Sequence, residues 1–261
     1  VEQYVVFQVR APRAAMAVVV GIALGIAGAL LQTFLGNPLA SPDLLGISGG
    51  SGLAAVTAIL VIGTTGPLLV LFAFAGGLVV AALLLLAGRH LRDGGFRLIL
   101  AGIGVSFFAT ALINLMMVRA KIEEARTALL WLTGSLASTP WWQVLTVTAV
   151  LVLLVPALIV AARWLPVTQL GHPTASGLGV SGSSVRLIVV TSAVLLTAAT
   201  RAFVGPISFM PLLAPARARG LPGPGAGGVV TTGPGGGVLL AGSDSAVRLA
   251  LPRVSLHCRG C

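Results

Sequence analysis

The sequence predicts an all-α fold, a polytopic bundle of transmembrane helices, and three observations carry that reading. Apolar residues make up 57% of the 261-residue chain and charged residues only 8%, where a soluble domain carries about 45–50% and about 25% respectively. Apolar windows close to the roughly 20 residues needed to cross a bilayer recur along the chain. So few charges could not cover a water-facing surface, so the exposed surface must face lipid.

The windows follow in order. The first covers residues 14–35 and contains Gly21, Gly25 and Gly28 among alanines. Small residues at helical spacing allow close helix approach. A path-lining or dimer-facing helix would fit, although ordinary packing within the chain is the simpler reading. The second and third windows, 47–63 and 67–87, are separated by Gly66-Pro67, a tight-turn signal. The fourth covers 97–118. The fifth, 142–164, has Trp141 and Trp142 at its start and Trp164 at its end. That spacing corresponds to about 33 Å of helix, close to the hydrocarbon thickness, with indole rings at both interfaces. The sixth covers 185–204, and a weaker window covers 236–251. About six to eight helices are expected.

Arginine placement orients the bundle. The loop from Gly88 to Arg97 and the connection from Arg163 to Arg186 are both net basic, and two spans separate them. They lie on one side, which the positive-inside rule makes cytoplasmic. In the loop between them, Arg119, Lys121 and Arg126 are nearly balanced by Glu123 and Glu124, which suits the outer side. Arg10 and Arg13 then fall outside, against the rule. Arg201, near the outer end of the sixth window, is expected to snorkel toward that interface.

Several functions are disfavoured or excluded. The net charge is +10, but the arginines stand singly in apolar sequence and form no stripe of the kind that binds nucleic acid. A phosphate-binding loop needs glycine directly before its lysine, whereas the only lysine, Lys121, follows Ala120. Any ATP must be hydrolysed elsewhere, and no cofactor is expected in this chain. His90, His172 and His257 lie in separate loops, and no acidic pair lies within a span, so no catalytic or metal centre is expected. Cys258 and Cys261 beside His257 form one pair without a second, which is weak evidence for metal or redox chemistry. A secondary transporter or channel is the alternative class. Ion-coupled carriers usually need ionisable groups inside the bilayer; apart from Arg97, Arg163 and Arg186 at the window edges, Arg201 is the one such residue in the six stronger windows.

The connector between the first two windows reads Gly36-Asn37-Pro38-Leu39-Ala40-Ser41-Pro42-Asp43-Leu44-Leu45-Gly46-Ile47-Ser48-Gly49-Gly50. Its prolines remove backbone donors and its glycines permit unusual dihedrals, so it is non-helical. At membrane depth such backbone is tolerated only inside protein or along a water-filled cavity. This stretch closely resembles the signature of the iron–siderophore, haem and cobalamin permease family of bacterial ABC importers. Arg10-Ala11-Pro12-Arg13 is similar to the family's Arg-Leu-Pro-Arg, and Ala27-Gly28-Ala29-Leu30-Leu31-Gln32 to the run ahead of its Asn-Pro-Leu-Ala. Further resemblances are Arg97–Ile103, Leu130–Leu136, Leu170-Gly171 with Gly177–Val180, and Gly205–Phe209. They fall in order along the chain, and it is the ordered set that is specific.

The resemblance implies a permease subunit carrying a ferric siderophore or related chelate across the bacterial cytoplasmic (inner) membrane by alternating access. It implies ten helices per subunit, a second permease subunit (the same or a related chain), two cytoplasmic ATPase subunits that hold the ATP, and an external substrate-binding protein. Arg10, Arg13 and Arg248 would dock that binding protein, whose carboxylates could receive two-pronged hydrogen bonds. Leu170, Gly171, His172, Gly177, Leu178 and Gly179 would form the ATPase coupling segment. Gln32, Asn37, Pro38, Pro42 and Gly46 would belong to the signature along the translocation path.

The resemblance also breaks in places. Residues 1–215 are family-like. Residues 216–237 are rich in glycine and proline and are expected not to hold a helix. Family-like sequence returns over 238–256 and is lost in the tail, 257–261. The expectation is that two reading-frame shifts produced these segments and that the chain, lacking the family's first and last helices, is a fragment or a truncated, inactive permease.

Overall fold

The computed structural model describes residues 2–89, 94–136, 139–207, 209–219 and 229–250. Among them the protein is built from helices, and their bounds follow the apolar windows. A first turn, α1 (Glu2–Tyr4), continues through a π-helical stretch, Val5–Arg10, into α2 (Ala11–Leu35). The widened turn falls directly before Pro12, which has no N–H to donate and crowds a regular turn. After the connector come α3 (Ile47–Thr57), extended by a π-helical turn, Ala58–Ile62, then α4 (Pro67–Arg89) and α5 (Gly94–Arg119). The remaining helices are α6 (Ile122–Thr133), α7 (Trp141–Thr168), α8 (His172–Gly177), α9 (Gly182–Val204), α10 (Met210–Arg219) and α11 (Val229–Ala250).

Five helical segments among the described residues are long and apolar enough to cross a membrane: Val6–Leu35, Pro67–Leu86, Ile99–Arg119, Trp141–Thr168 and Gly182–Val204. The chain is a multi-pass membrane protein. Ile47–Ile62 is apolar but shorter, 11 residues of α3 and 5 of its π-helical extension, or about 24 Å at 1.5 Å per residue. That falls short of a hydrocarbon core of about 30 Å. The connector preceding it therefore enters the bundle instead of stopping at its edge.

Cross-chain contacts fix the helix directions. At one end the Trp141 indole donates to the Phe7 carbonyl at 3.0 Å, and at the other the Gln169 amide donates to the Thr33 carbonyl at 3.0 Å. Helices α2 and α7 are thus parallel. Phe203 meets Trp142 edge to face, 5.7 Å between ring centres, so α9 runs back antiparallel. Helix α2 is central, packing on α7, α9, α10 and α11. Its residues Ala23, Ala27, Leu30 and Leu31 share an apolar cluster with Val189, Ala193 and Val194 of α9. By contrast α5 shows Phe107, Phe108 and Val118 outward. In lipid such exposure carries no hydrophobic penalty, and close packing with internal hydrogen bonding holds the helices together.

Two sequence expectations are corrected here. Residues 119–126 were expected in a loop, but an amphipathic helix, α6, begins at Ile122, with Glu123 and Glu124 in its first turn, where acidic groups complement the helix dipole. Residues 216–237 were expected not to hold a helix. Those at 216–219 complete α10 and those at 229–237 begin α11, while 220–228 lie outside the described residues. Glycine is a poor helix former in water, but here it permits contact. A Cβ on Gly236 would meet the carbonyl of Gly21, and one on Gly25 would approach the Thr232 carbonyl at 3.0 Å. Backbone buried this way has no water to bond, so the helix is its satisfied state.

Candidate functional site

The connector is built by local hydrogen bonds. Gly36, at φ 61°, ends α2, and the Asn37 N–H follows to the Gln32 carbonyl at 3.1 Å. The Asn37 side-chain oxygen accepts from the Leu39 N–H at 2.9 Å, a turn that asparagine favours. Pro42–Leu45 then forms one turn of 3-10 helix, and Gly46, at φ 72°, both ends that turn and starts α3. This corrects the expectation of a non-helical stretch through Gly50: residues 47–50 already belong to α3, because Gly46 takes the left-handed conformation that lets a new helix begin. Gly46 lies against α5, where an added Cβ would come within 2.8 Å of the Gly102 carbonyl. The Cβ of any residue replacing Gly102 would in turn strike the backbone of Leu44 and Leu45. Asn37 and Pro38 are exposed, while Pro42 and Gly46 are buried.

Inside the bundle the connector carries a charge. Asp43 receives a hydrogen bond from the Ser48 hydroxyl and forms an ion pair with Arg201 of α9. Arg201 is 1% exposed. Burial corrects the expectation that it snorkels outward: the fold-back brings a carboxylate to it, and the guanidinium turns inward to meet that partner. Among the described residues only its Nη2 is bonded, and Nε and Nη1 are buried without a hydrogen-bond partner.

Gln32 is buried at the other end of the connector. Its amide donates to the Pro211 carbonyl at 3.4 Å, and its oxygen accepts from Arg219 at 2.8 Å. It therefore ties α2 to both ends of α10. The arginines read as docking residues separate. Arg10 is exposed. Arg13 is held by Asp244 of α11, with Nη2 to Oδ1 at 2.5 Å and Nε to both oxygens at 3.2 Å. Arg248 lies on α11, but its side chain is outside the described residues, as are His90, His257, Cys258 and Cys261.

The segment read as the coupling element forms α8, whose backbone is set by Gly171 at φ 93° before it and Gly179 at φ 75° after it. Leu170 and Leu178 are 63% and 64% exposed, and Gly171, Gly177 and Gly179 are exposed as well. The side chain of His172 lies outside the described residues. An open groove beside α8 is lined by Leu85, Ser176, Val180, Ser183 and Arg186. The end of α4 thus lies on the same side as α8, in keeping with the two basic connections. Among the described residues, no group of three or more metal-ligating side chains gathers.

This arrangement is a helical scaffold with a connector that is exposed at 36–39 and buried at Ala40, Pro42, Leu45 and Gly46, and an exposed short helix at one end. Residues 1–258 match the FecCD transport family. The chain belongs to that family. Among FecCD relatives, the ferric enterobactin transport system permease protein FepG of Escherichia coli is 37% identical over 241 residues, covering 92% of this chain and 73% of that protein. The Fe(3+)-citrate import system permease protein YfmE of Bacillus subtilis is 40% identical over 223 residues, covering 85% of this chain and 66% of the relative. The chain therefore spans about two-thirds to three-quarters of the length of these relatives. A solved metal-chelate type ABC transporter in an inward-facing conformation superposes with a TM-score of 0.88 at 28% identity, covering 95% of this chain and 80% of its own. PsaBC from Streptococcus pneumoniae superposes at 0.63 and 17% identity, covering 94% and 83%, and shows the fold alone.

As a FecCD member the chain is a permease of the ABC transporter class. Asp43, Ser48, Arg201, Arg219 and Asp244 were not singled out as site residues from the sequence. Asp43 stood within the quoted connector, but nothing in the linear order pairs it with a residue 158 positions away.

Proposed function

We propose that this chain is the membrane subunit of an ATP-driven importer for a ferric siderophore or related metal chelate in the bacterial cytoplasmic membrane. The observation that carries the reading is the family match over 1–258 together with the re-entrant connector and the exposed α8 at one end of the bundle. A second permease subunit would complete the path, two ATPase subunits would engage residues 170–179 from the cytoplasm, and a binding protein would deliver the chelate outside. Nucleotide-driven closure of the ATPases would displace α8 and the helices joined to it, exchanging inward and outward openings. The permease would perform no bond chemistry.

Arg10 is the principal docking residue in this reading, because it is exposed at the Trp141 end. Arg13 would act mainly by holding α11 through Asp244. Co-purification tests the assembly. A tagged chain extracted from its native membrane should bring down an ATPase subunit, and the complex should hydrolyse ATP whereas the isolated chain should not. Hydrolysis by the isolated chain, or recovery without any ATPase, would contradict the proposal.

A further inference from the structure

The ion pair between buried Arg201 and part-buried Asp43 joins two parts of the protein that the transport scheme leaves unconnected. Arg201 stands three residues from the end of α9, and α8 lies just before that helix begins at Gly182. After Gly182 the sequence of α9 contains neither glycine nor proline, so it is an uninterrupted rod of about 33 Å. At its α8 end, Val180 lies in the short link after α8; its N–H donates to the Ala175 carbonyl of α8 at 2.9 Å, and its side chain packs against the apolar cluster that holds Val185, Val189 and Ala193, so α8 is tied to α9 through that link. At its other end Arg201 grips Asp43, whose same oxygen also accepts from Ser48 at the start of α3.

The pair is not the arrangement that stability alone favours. Among the described residues Nε and Nη1 of Arg201 have no hydrogen-bond partner, and an ion pair with unmet donors on its buried member is often matched or exceeded by apolar side chains of similar size. Apolar contact already supports the same junction: a Cβ on Gly77 of α4 would sit 3.3 Å from Ala198 of α9 and 3.4 Å from Ile47 of α3.

We infer that Asp43 and Arg201 are positioning residues for transport, making the connector travel with α9 so that displacement of α8 reaches the translocation path. The inference rests on the proposed function, because it assumes that α8 receives motion from an ATPase. Neither residue need touch the chelate. The directional, charge-assisted bond holds register between two helices that would otherwise slide on apolar contacts.

The test uses the complete transporter reconstituted in vesicles, reading ATP hydrolysis and chelate uptake together. The double variant D43L/R201M removes both charges and leaves neither buried alone, while D43E keeps the bond. The double variant should hydrolyse ATP near the wild-type rate yet import about tenfold less chelate per ATP, a loss within the usual span of coupling factors. D43E should stay near wild type. Wild-type uptake per ATP in the double variant would overturn the inference.

A second measurement keeps the pair intact and so does not depend on the variant folding. Spin labels at exposed Leu39 and Leu178 should hold their separation to within about 2 Å between nucleotide-free and vanadate-trapped states, the scale of sliding between packed helices. A larger change would show that the connector does not follow α9 and would overturn the inference. Failure of the wild-type complex to import with ATP would instead remove the functional reading, and the inference with it.

Discussion

Arg13 at the start of α2 and Asp244 near the end of α11 form a two-pronged ion pair 231 residues apart in sequence. Their side chains are 24% and 15% exposed, so the pair is shielded but not fully desolvated. It fastens α11 to α2.

Asp244→Ala should therefore loosen α11 while leaving Arg13 partly buried without its partner. The expected cost is about 1–3 kcal/mol, the range for hydrogen bonds to charged groups. Thermal unfolding in detergent measures it, and a double-mutant cycle with Arg13→Ala should show coupling between the two sites. Additive losses would mean that the pair contributes little.

Most spans were legible in the sequence because hydropathy and length alone define them: the expected 14–35, 67–87 and 185–204 correspond to Ala11–Leu35, Pro67–Arg89 and Gly182–Val204. Helix α6 was not, because twelve residues with charges at one end have no spanning signal. The start of α11 was misread because glycine propensity describes an isolated helix in water, whereas here the fold uses the missing Cβ of Gly236 to seat Gly21. Arg201 was misread for a different reason. Sequence gives its distance from a helix end, but only the connector's return into the bundle supplies Asp43. The connector's prolines and glycines marked a break in the helix after Leu35, while the long-range partner of Gln32 on α10 required the fold.

Glycines with and without neighbours should differ sharply. Gly46→Ala places a side chain at φ 72° and against the Gly102 carbonyl, and the left-handed conformation alone costs about 1–2 kcal/mol. Gly104, in α5, has nothing among the described residues within 4 Å of an added Cβ, so Gly104→Ala should be neutral or stabilise by up to about 1 kcal/mol. Comparing the two by thermal unfolding checks the placement of the connector against α5. Equal behaviour would contradict it.

At the interface of α2 and α11, Gly21→Leu should separate the helices, because even a Cβ there overlaps the backbone of Gly236. The loss should exceed about 2 kcal/mol, since backbone cannot yield as a side chain can. Disulfide cross-linking between cysteines at Val18 and Val238, which line one groove, reports it: the cross-link should form in the parent and fail in the variant.

Arg10→Glu should leave stability within about 0.5 kcal/mol of the parent, as surface changes usually do. Docking is another matter. Stimulation of ATP hydrolysis by the loaded binding protein should fall, and the remaining stimulation should depend less on salt. Unchanged stimulation would move the docking surface away from this end of α2.

Uptake in sealed vesicles bears most directly on the whole account. The chain, reconstituted with its permease partner, its ATPase subunits and an externally added binding protein loaded with radioiron siderophore, should accumulate iron only when ATP is supplied on the ATPase side. Accumulation driven by an ion gradient with the ATPase absent, or none with every component present, would contradict it.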